Sequence, residues 1–236
     1  MKTTLSFFLI ILLSNIIKAQ TTAIPDPNFE QLLINRSLDT GSPDGSIPTA
    51  NIDTVTILYV NSSNISDLTG IQDFSDLREL HSGNNQLTNL NISQNFSLTL
   101  LECFNNQLTS LNISQNLALE YLSCNGNQIS TLDVSPHLVL KSLSCNRNLI
   151  STLDVSQNIL LEWLACADNQ LTNIDITQNP ALKWFYCDDN QLTNLDASQN
   201  TALDQLTCEN NLITNLDITH SPVLDFFRCN NNLLFF

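Results

Sequence analysis

The sequence predicts a mostly β solenoid, in which short coils of chain stack on one another, and three observations lead to this fold class. Seven cysteines, from Cys103 to Cys229, follow one another at intervals of 21 residues. Leucines begin units of the same length, from Leu77 to Leu224, and an asparagine occupies the ninth position of every unit. A fixed period of this size is the signature of a repeat array. We therefore expect about nine coils, counting a 22-residue relative that begins at Val55 and a truncated last coil.

The chain divides into a signal peptide at 1–19, an N-terminal cap at 20–54 and a repeat domain at 55–236. Lys2 precedes an apolar run of about 13 residues, and the small Ala19 marks the expected cleavage point. That run is shorter than the roughly 20 residues that cross a bilayer. The sequence therefore predicts a secreted or cell-surface protein without a membrane span.

The cap segment predicts a short helix over 27–34. Asp26 suits the N-cap and Pro27 the first helical position. Phe29, Leu32 and Leu33 would then share one apolar face, which can cover the open edge of the first coil. The polar stretch 37–49, which follows, is expected to be an exposed loop.

Within each unit, positions 1, 4, 6, 11, 14 and 16 are apolar and are predicted to point inward, as in the unit that starts at Leu119. Positions 3 to 7 alternate with a period of two, which favours a short strand. Stacking would align these strands into one parallel, concave sheet. The pattern L-x-C-x-x-N at positions 4 to 9 resembles L-x-I/V-x-x-N at positions 14 to 19, so each coil looks like two half-coils of about ten residues. The convex side should therefore hold turns and extended segments. The asparagine at position 9 can satisfy backbone groups that a turn leaves unpaired.

The segments NQLTNLNISQN, NQLTSLNISQN and NQLTNLDASQN closely resemble the 21-residue leucine-rich repeats of secreted Bacteroidetes proteins, especially those of flavobacteria. The coil VTILYVNSSNISDLTGIQDFSDL is similar to the internalin type of repeat, and IPDPNFEQLL is similar to the segment that precedes the repeats in the same bacterial proteins. The resemblance implies a leucine-rich-repeat solenoid used in extracellular recognition or adhesion, often followed by a sorting domain. Because the last coil stops at Phe236 after an apolar run, we expect an incomplete version of a longer protein, or alternatively an edge that self-associates.

The net charge of the chain restricts the kinds of partner that it can bind. Removal of 1–19 would take away Lys2 and Lys18, which leaves six basic against 23 acidic residues, a net charge of −17. Such a chain repels nucleic acid and anionic membranes, so neither is expected as a partner. The acidity either keeps the surface soluble or attracts a cation or a basic partner.

Three polar features allow more than one interpretation. The cysteine column is expected to be a row of buried free thiols; disulfides between neighbouring coils or a metal site are the alternatives. The aspartates at position 15 could recruit Ca²⁺ or could cap local turns: Asp133, Asp154, Asp175, Asp196 and Asp217. The loop from Asp39 to Gly45 resembles a calcium loop only faintly, because it lacks the ligand spacing and the closing glutamate.

The candidate binding residues point outward from the strands, at positions 3 and 5, or lie in the turns beside them. Both tryptophans of the chain occupy position 3 on consecutive coils, which predicts two exposed indoles about 5 Å apart. Such a surface suits a sugar ring, a cationic side chain or a peptide, although lateral stacking alone would also explain the aromatic residues. The candidates on this face are Tyr121, Trp163, Trp184, Tyr186, Asp168, Asp188, Asp189 and Arg228.

No catalytic arrangement emerges from the sequence. The repeat places His81, His137 and His220 at different unit positions, so they cannot meet at one site. We expect neither enzymatic activity nor a cofactor nor a metal site. The predicted function is that of an exported recognition module that binds an extracellular protein or glycan; the alternative is a structural spacer that self-associates through its C-terminal edge.

Overall fold

The computed structural model describes residues 20–234, so the predicted signal peptide and the last two residues lie outside the described part. Nine short strands form one parallel sheet: β3 Ile57–Tyr59, β4 Glu79–His81, β5 Leu100–Glu102, β6 Tyr121–Ser123, β7 Ser142–Ser144, β8 Trp163–Ala165, β9 Trp184–Tyr186, β11 Gln205–Thr207 and β13 Phe226–Arg228. Their order across the sheet is β13-β11-β9-β8-β7-β6-β5-β4-β3. The stacked coils confirm the predicted solenoid with its parallel sheet.

The period of 21 sets the register of this sheet. Trp163 pairs with Trp184, and the central residues Leu164 and Phe185 pair with each other in the same way. The central residue of each strand of this sheet from β3 to β11 is buried in the coil, whereas its two neighbours point to the open face, because successive side chains of a strand alternate. In the last strand, β13, the central Phe227 is 39% exposed. Strand formation therefore places every unit position in a column that runs along the solenoid.

The core consists of the predicted inward columns. In the unit that starts at Leu119, the side chains at positions 4, 6, 11, 14 and 16 are at most 6% exposed. The columns are continuous from coil to coil, so each inner coil has both of its flat faces covered by its two neighbours. This arrangement explains why the coils depend on stacking for their stability.

The asparagine column at position 9 closes the turn that follows each strand. The Asn127 amide donates to the carbonyls of Cys103 at 3.0 Å and Cys124 at 2.9 Å, and its oxygen accepts from the Leu108 N–H at 3.0 Å. One side chain thus ties its own coil to the preceding one. The predicted structural role is confirmed.

A second column of buried amides lies at position 19, in agreement with the two half-coils predicted for each unit. Asn158 donates to the carbonyls of Val134 and His137, both at 2.9 Å, while its own amide oxygen has no partner. His137 replaces asparagine in this column, is fully buried, and places Nε2 3.1 Å from the carbonyl oxygen of Ile113.

The cysteines form the expected column of free thiols, buried from Cys103 to Cys208 and partly exposed at Cys229. Burial in an apolar column raises the pKa of Cys124 and of Cys166 to about 12, because a thiolate would lose its solvation there. These six side chains therefore act as small apolar groups of the core.

The convex side consists of turns and extended segments, as predicted. Two short strands, β10 Asn194–Asp196 and β12 Asn215–Asp217, pair in parallel there, and a 3-10 turn covers Ile71–Asp73 in the first coil. Within residues 20–234, no helix is long and apolar enough to cross a bilayer.

The cap begins with the predicted helix, α1 Pro27–Asn35, whose N-cap is Asp26. One carboxylate oxygen of Asp26 accepts from the N–H groups of Asn28 and Phe29, and the other accepts from Ser66 and Asp67 of the first coil. Although burial alone would raise the pKa of Asp26, these hydrogen bonds hold it below its usual value. The N-cap residue therefore also attaches the helix to the first coil of the solenoid.

The stretch 37–49, expected to be an exposed loop, is only partly so. Its end forms β2 Ser46–Pro48, which pairs antiparallel with β1 Thr21–Ala23, and Ile47 is fully buried. The fully buried Glu30 carboxylate accepts from the N–H groups of Asp44 and Gly45, at 2.7 and 2.8 Å, and so anchors the loop to the helix. The expectation was wrong for the last residues because a single apolar side chain in a polar stretch gives no periodic signal.

Candidate binding face on the sheet

Strand positions 3 and 5 form the concave face of the nine-stranded sheet. The strands are only three residues long, so each coil contributes two side chains to this face. Because the residue at position 4 anchors each strand in the core, the two outward side chains project from a rigid backbone. They are not required for packing of the core. The composition of this face is therefore free to serve binding.

An aromatic cluster occupies the middle of the concave face. The ring centroids of Trp163 and Trp184 lie 5.6 Å apart at 47°, and those of Trp163 and Tyr186 lie 5.1 Å apart at 55°. The separation of the indoles agrees with the strand spacing. All three residues are half-buried, so the indoles are less exposed than predicted, because side chains on adjacent short strands cover one another.

Neighbouring polar groups fix the cluster in place. The Tyr186 hydroxyl donates to Gln205 Oε1 at 2.7 Å, and Lys183 Nζ lies 5.8 Å from the Trp184 ring centroid. Burial, followed by the negative charge of Asp204, raises the pKa of Tyr186, so the phenol stays a neutral donor. The rings are thus pre-ordered before any ligand arrives, which lowers the entropic cost of binding.

A slot lies beside the cluster, above Ser142. Strand β7 carries only this small side chain between Tyr121 on β6 and Trp163 on β8. Two strand spacings separate the flanking rings, about 10 Å, and the resulting cavity has a volume of about 290 Å³. Lys141 and Glu162 line its rim. A flat apolar group can enter between the Tyr121 and Trp163 rings.

The rim charges are paired within the chain. Lys141 Nζ lies 2.6 Å from Glu120 Oε2, and Lys183 Nζ lies 2.7 Å from Glu162 Oε2. These residues are all at unit position 2, where acidic and basic side chains alternate over the four coils from Glu120 to Lys183. Sequence reasoning missed this row, although the alternation was visible as a signal.

A second, polar cavity of about 390 Å³ opens on the other side of the cluster. Its lining includes Asn146, Arg147, Asp168, Tyr186 and Asp188. The Asp188 carboxylate accepts from the Thr207 hydroxyl and, at 2.8 Å, from the Glu209 N–H. Tyr186 thus borders an acidic pocket and also belongs to the aromatic cluster.

Two of the predicted acidic residues have a structural explanation as well. Asp168 and Asp189 occupy unit position 8 with a backbone φ of 52°, the left-handed region that Asn, Asp and Gly tolerate best. Asp168 pairs with Arg147 at 3.3 Å and Asp189 accepts from Asn210 at 2.8 Å. Both carboxylates remain exposed at the edge of the face.

Arg228 does not join the other candidates. It lies on β13, two strands beyond Tyr186, and its guanidinium carbon is 4.8 Å from the Phe226 ring centroid. The structure therefore brings together Tyr121, Trp163, Trp184, Tyr186, Asp168 and Asp188 around the two cavities, with Asp189 at their margin.

A cluster around His81, which the sequence did not reveal, lies near the other end of the face. His81 stacks on Tyr59 with ring centroids 4.3 Å apart, and its two ring nitrogens lie 2.7 Å from Glu102 and 3.4 Å from Glu79. Within residues 20–234, no group of three or more His, Cys, Asp or Glu side chains is arranged to hold a metal ion.

The aspartates at position 15 cap local turns. Asp133 accepts from the N–H and the hydroxyl of Ser135 at 3.0 and 2.7 Å, and Asp154 accepts from the Ser156 N–H at 2.9 Å. The same motif recurs at Asp175, Asp196 and Asp217. In the calcium-like loop, Asp44 likewise accepts from Ser46. Of the two sequence interpretations, local capping describes these side chains.

Comparison with known proteins identifies the fold by structure. No protein-family model matches the sequence, and no curated protein matches it. A leucine-rich-repeat protein of Leptospira interrogans is 26% identical over 78% of this chain and 51% of its own, with a TM-score of 0.74. YopM, a leucine-rich effector protein of Yersinia pestis, is 27% identical over 75% of this chain and 50% of its own, with a TM-score of 0.64.

Internalin C2 of Listeria monocytogenes matches over 92% of this chain and 96% of its own, with a TM-score of 0.75; at 21% identity it shows the fold alone. The chain spans about half the length of the Leptospira and Yersinia proteins.

Proposed function

Because the protein is a leucine-rich-repeat solenoid, we propose that it is an exported recognition module that binds an extracellular protein or glycan through its concave face. The aromatic cluster of Trp163, Trp184 and Tyr186 is the observation that carries this proposal. Aromatic residues are over-represented among the side chains that dominate binding energy, since they bury large areas at low entropic cost. The signal-like segment at 1–19 supports export.

The two cavities beside the cluster define the chemistry of a suitable partner. The slot above Ser142 offers ring faces, and the polar cavity offers the carboxylates of Asp168 and Asp188. A partner that presents a flat apolar group next to a cation, as a peptide does with neighbouring aromatic and basic residues, complements both. A sugar ring with polar substituents also fits the slot. Binding without chemical conversion is the role that this set of groups supports.

The experiment exploits the fact that both tryptophans of the chain belong to the cluster. A ligand found on protein and glycan arrays is titrated while tryptophan fluorescence is recorded, so every change in emission reports on this site. Trp163→Ala should lower the affinity at least about 30-fold, the loss of a hot-spot side chain at about 2 kcal/mol. Trp184 then serves as the remaining reporter.

Tyr59→Ala supplies the control, because Tyr59 is 51% exposed on the same face but lies five strands from Trp163. This variant should bind with unchanged affinity. Equal affinity of wild type and Trp163→Ala for an authentic ligand would refute the assignment of the site.

A further inference from the structure

An exposed apolar stripe runs along the solenoid on the coil segment that precedes the sheet. It consists of unit positions 20 and 21 on four consecutive coils, just before β5, β6, β7 and β8. Its side chains are between 39% and 58% exposed: Phe96, Leu117, Leu138, Val139, Ile159 and Leu160. Single exposed leucines are ordinary on protein surfaces, but a contiguous row is typical of an interaction site.

The stripe is set in a band without charge. Positions 18 to 21 of the six units from Leu77 to Ala202 contain no Asp, Glu, Lys or Arg, in a chain with 31 such residues. The repulsion that an acidic protein exerts on other acidic surfaces is therefore weakest here. An anionic membrane is a poor occupant, because the rest of the surface carries net negative charge.

The row of charges at position 2 lies beside the stripe in sequence, two residues after position 21. From the coil of β6 to the coil of β9 it reads Glu120, Lys141, Glu162, Lys183, all half-exposed. This order is self-complementary about a point between β7 and β8. When a second copy is turned by a two-fold rotation about that point, Lys141 faces Glu162 of the second copy, and Glu120 faces Lys183.

At the ends of the row, Arg78 faces Asp225 in the same arrangement, and between these ends Asp204 faces the uncharged Thr99. Two copies placed side by side in parallel register would instead put like charges opposite each other along the whole row. The most apolar part of the stripe, Leu138 with Val139 and Ile159 with Leu160, lies at the axis. Apolar centre and charged rim are the usual anatomy of a protein interface.

We propose that two copies of this chain associate laterally through the apolar stripe, antiparallel, about a two-fold axis between β7 and β8. A closed two-fold dimer is the commonest symmetric assembly, and one self-complementary patch suffices to build it. The stripe is about 20 Å long, judged from the strand spacing, so the dimer belongs with small, reversible interfaces. Two binding faces carried by one dimer would increase avidity for a multivalent partner.

The first test is sedimentation velocity of the purified protein from micromolar to millimolar concentration. The wild type should shift reversibly from monomer to dimer over this range. Leu138→Asp combined with Ile159→Asp should remain a monomer, because four carboxylates would meet at the axis of the dimer. Both side chains are more than 55% exposed, so circular dichroism should show an unchanged fold.

The matched control is Leu149→Asp combined with Leu212→Asp. These two leucines are 47% exposed at position 10, outside the stripe, so the added charge is the same while the dimer should persist. A wild type that stays monomeric at millimolar concentration would overturn the proposal. So would equal loss of the dimer in both double variants.

Disulfide trapping tests the antiparallel orientation. In a Cys229→Ser background, Leu117→Cys of one copy should cross-link to Pro180→Cys of another under mild oxidation, because the coils of β6 and β9 face each other. Leu117→Cys should not cross-link to itself, since the two copies of residue 117 lie three strand spacings apart, about 14 Å, beyond the reach of a disulfide. Efficient self-cross-linking of Leu117→Cys would overturn the orientation.

Discussion

Replacing Asn148 by alanine should destabilise the protein more than replacing Asn158, although Asn158 is fully buried and Asn148 is 6% exposed. The two residues belong to the amide columns at positions 9 and 19. The Asn148 oxygen accepts from the Ile129 N–H at 3.0 Å, and its amide donates to the carbonyls of Cys124 and Cys145 at 3.1 and 3.0 Å. Asn158 donates two hydrogen bonds and accepts none.

The magnitude follows from which groups lose their last partner. Without Asn148, the two carbonyls keep a second amide donor, from Asn127 and Asn169, but the buried Ile129 N–H has no other acceptor. One orphaned donor costs about 1–3 kcal/mol, and the lost hydrogen bonds add about 1 kcal/mol each. We therefore expect Asn148→Ala, with one orphaned donor and two lost hydrogen bonds, to lower the free energy of unfolding by about 3–5 kcal/mol.

For Asn158→Ala, no backbone group is orphaned. The carbonyls of Val134 and His137 still accept from the N–H groups of His137 and Leu140. The substitution also removes a buried amide oxygen that has no partner. The expected loss is about 1 kcal/mol.

Urea denaturation followed by circular dichroism measures both losses in the same buffer. Asn112→Ala is the control for removal of an asparagine, because its side chain is exposed and accepts only from Ser114; it should change the unfolding free energy by less than about 0.5 kcal/mol. A loss for Asn158→Ala as large as that for Asn148→Ala would show that burial, and not the orphaned N–H, decides the cost.

Three further predictions concern the cap, the thiols and the turn aspartates. Asp26→Ala should destabilise the protein by about 3 kcal/mol, because it removes a helix cap and the hydrogen bonds to Ser66 and Asp67. Urea denaturation measures this loss. A loss below about 1 kcal/mol would contradict the role of Asp26 in attaching the helix to the first coil. In the native protein, an aromatic disulfide reagent at mildly alkaline pH should titrate only Cys229, and in denaturant all seven thiols; rapid reaction of more than one native thiol would contradict the buried column. Hydrogen bonds from Ser156 lower the pKa of Asp154 in the folded state, so its stabilising contribution is full above the unfolded value of about 4 and is lost as the pH falls below it. The variant Asp154→Asn should therefore lose less stability than the wild type between neutral pH and pH of about 3. Equal losses of unfolding free energy in the two proteins over this pH range would refute that reasoning.

Much of the fold could be predicted because, in a solenoid, the repeat length of the sequence determines which side chains lie next to each other in space. Once the units are 21 residues long, residues that share a unit position become neighbours on adjacent coils. The inward columns, the asparagine ladder and the proximity of Trp163 to Trp184 all follow from this single relation. The N-cap role of Asp26 followed from local chemistry alone.

The features that sequence reasoning missed depend on contacts outside the period. Asp26 contacts Ser66, 40 residues further along the chain, and β1 pairs with β2, in a cap where no repeat places residues side by side. The slot above Ser142 arises because one small residue interrupts a row of rings, which matters only when three strands are viewed together. The half-buried state of the indoles depends on their rotamers, which unit positions do not specify.

Side-chain footprinting of a ligand complex by hydroxyl radicals and mass spectrometry tests the central claim most directly. The concave face contains Tyr59, Trp163 and Trp184, whose oxidation rates can be followed in one experiment. We predict that a bound ligand lowers the oxidation rates of Trp163 and Trp184 and leaves that of Tyr59 unchanged. Unchanged oxidation of both tryptophans, with protection elsewhere on the solenoid, would contradict it.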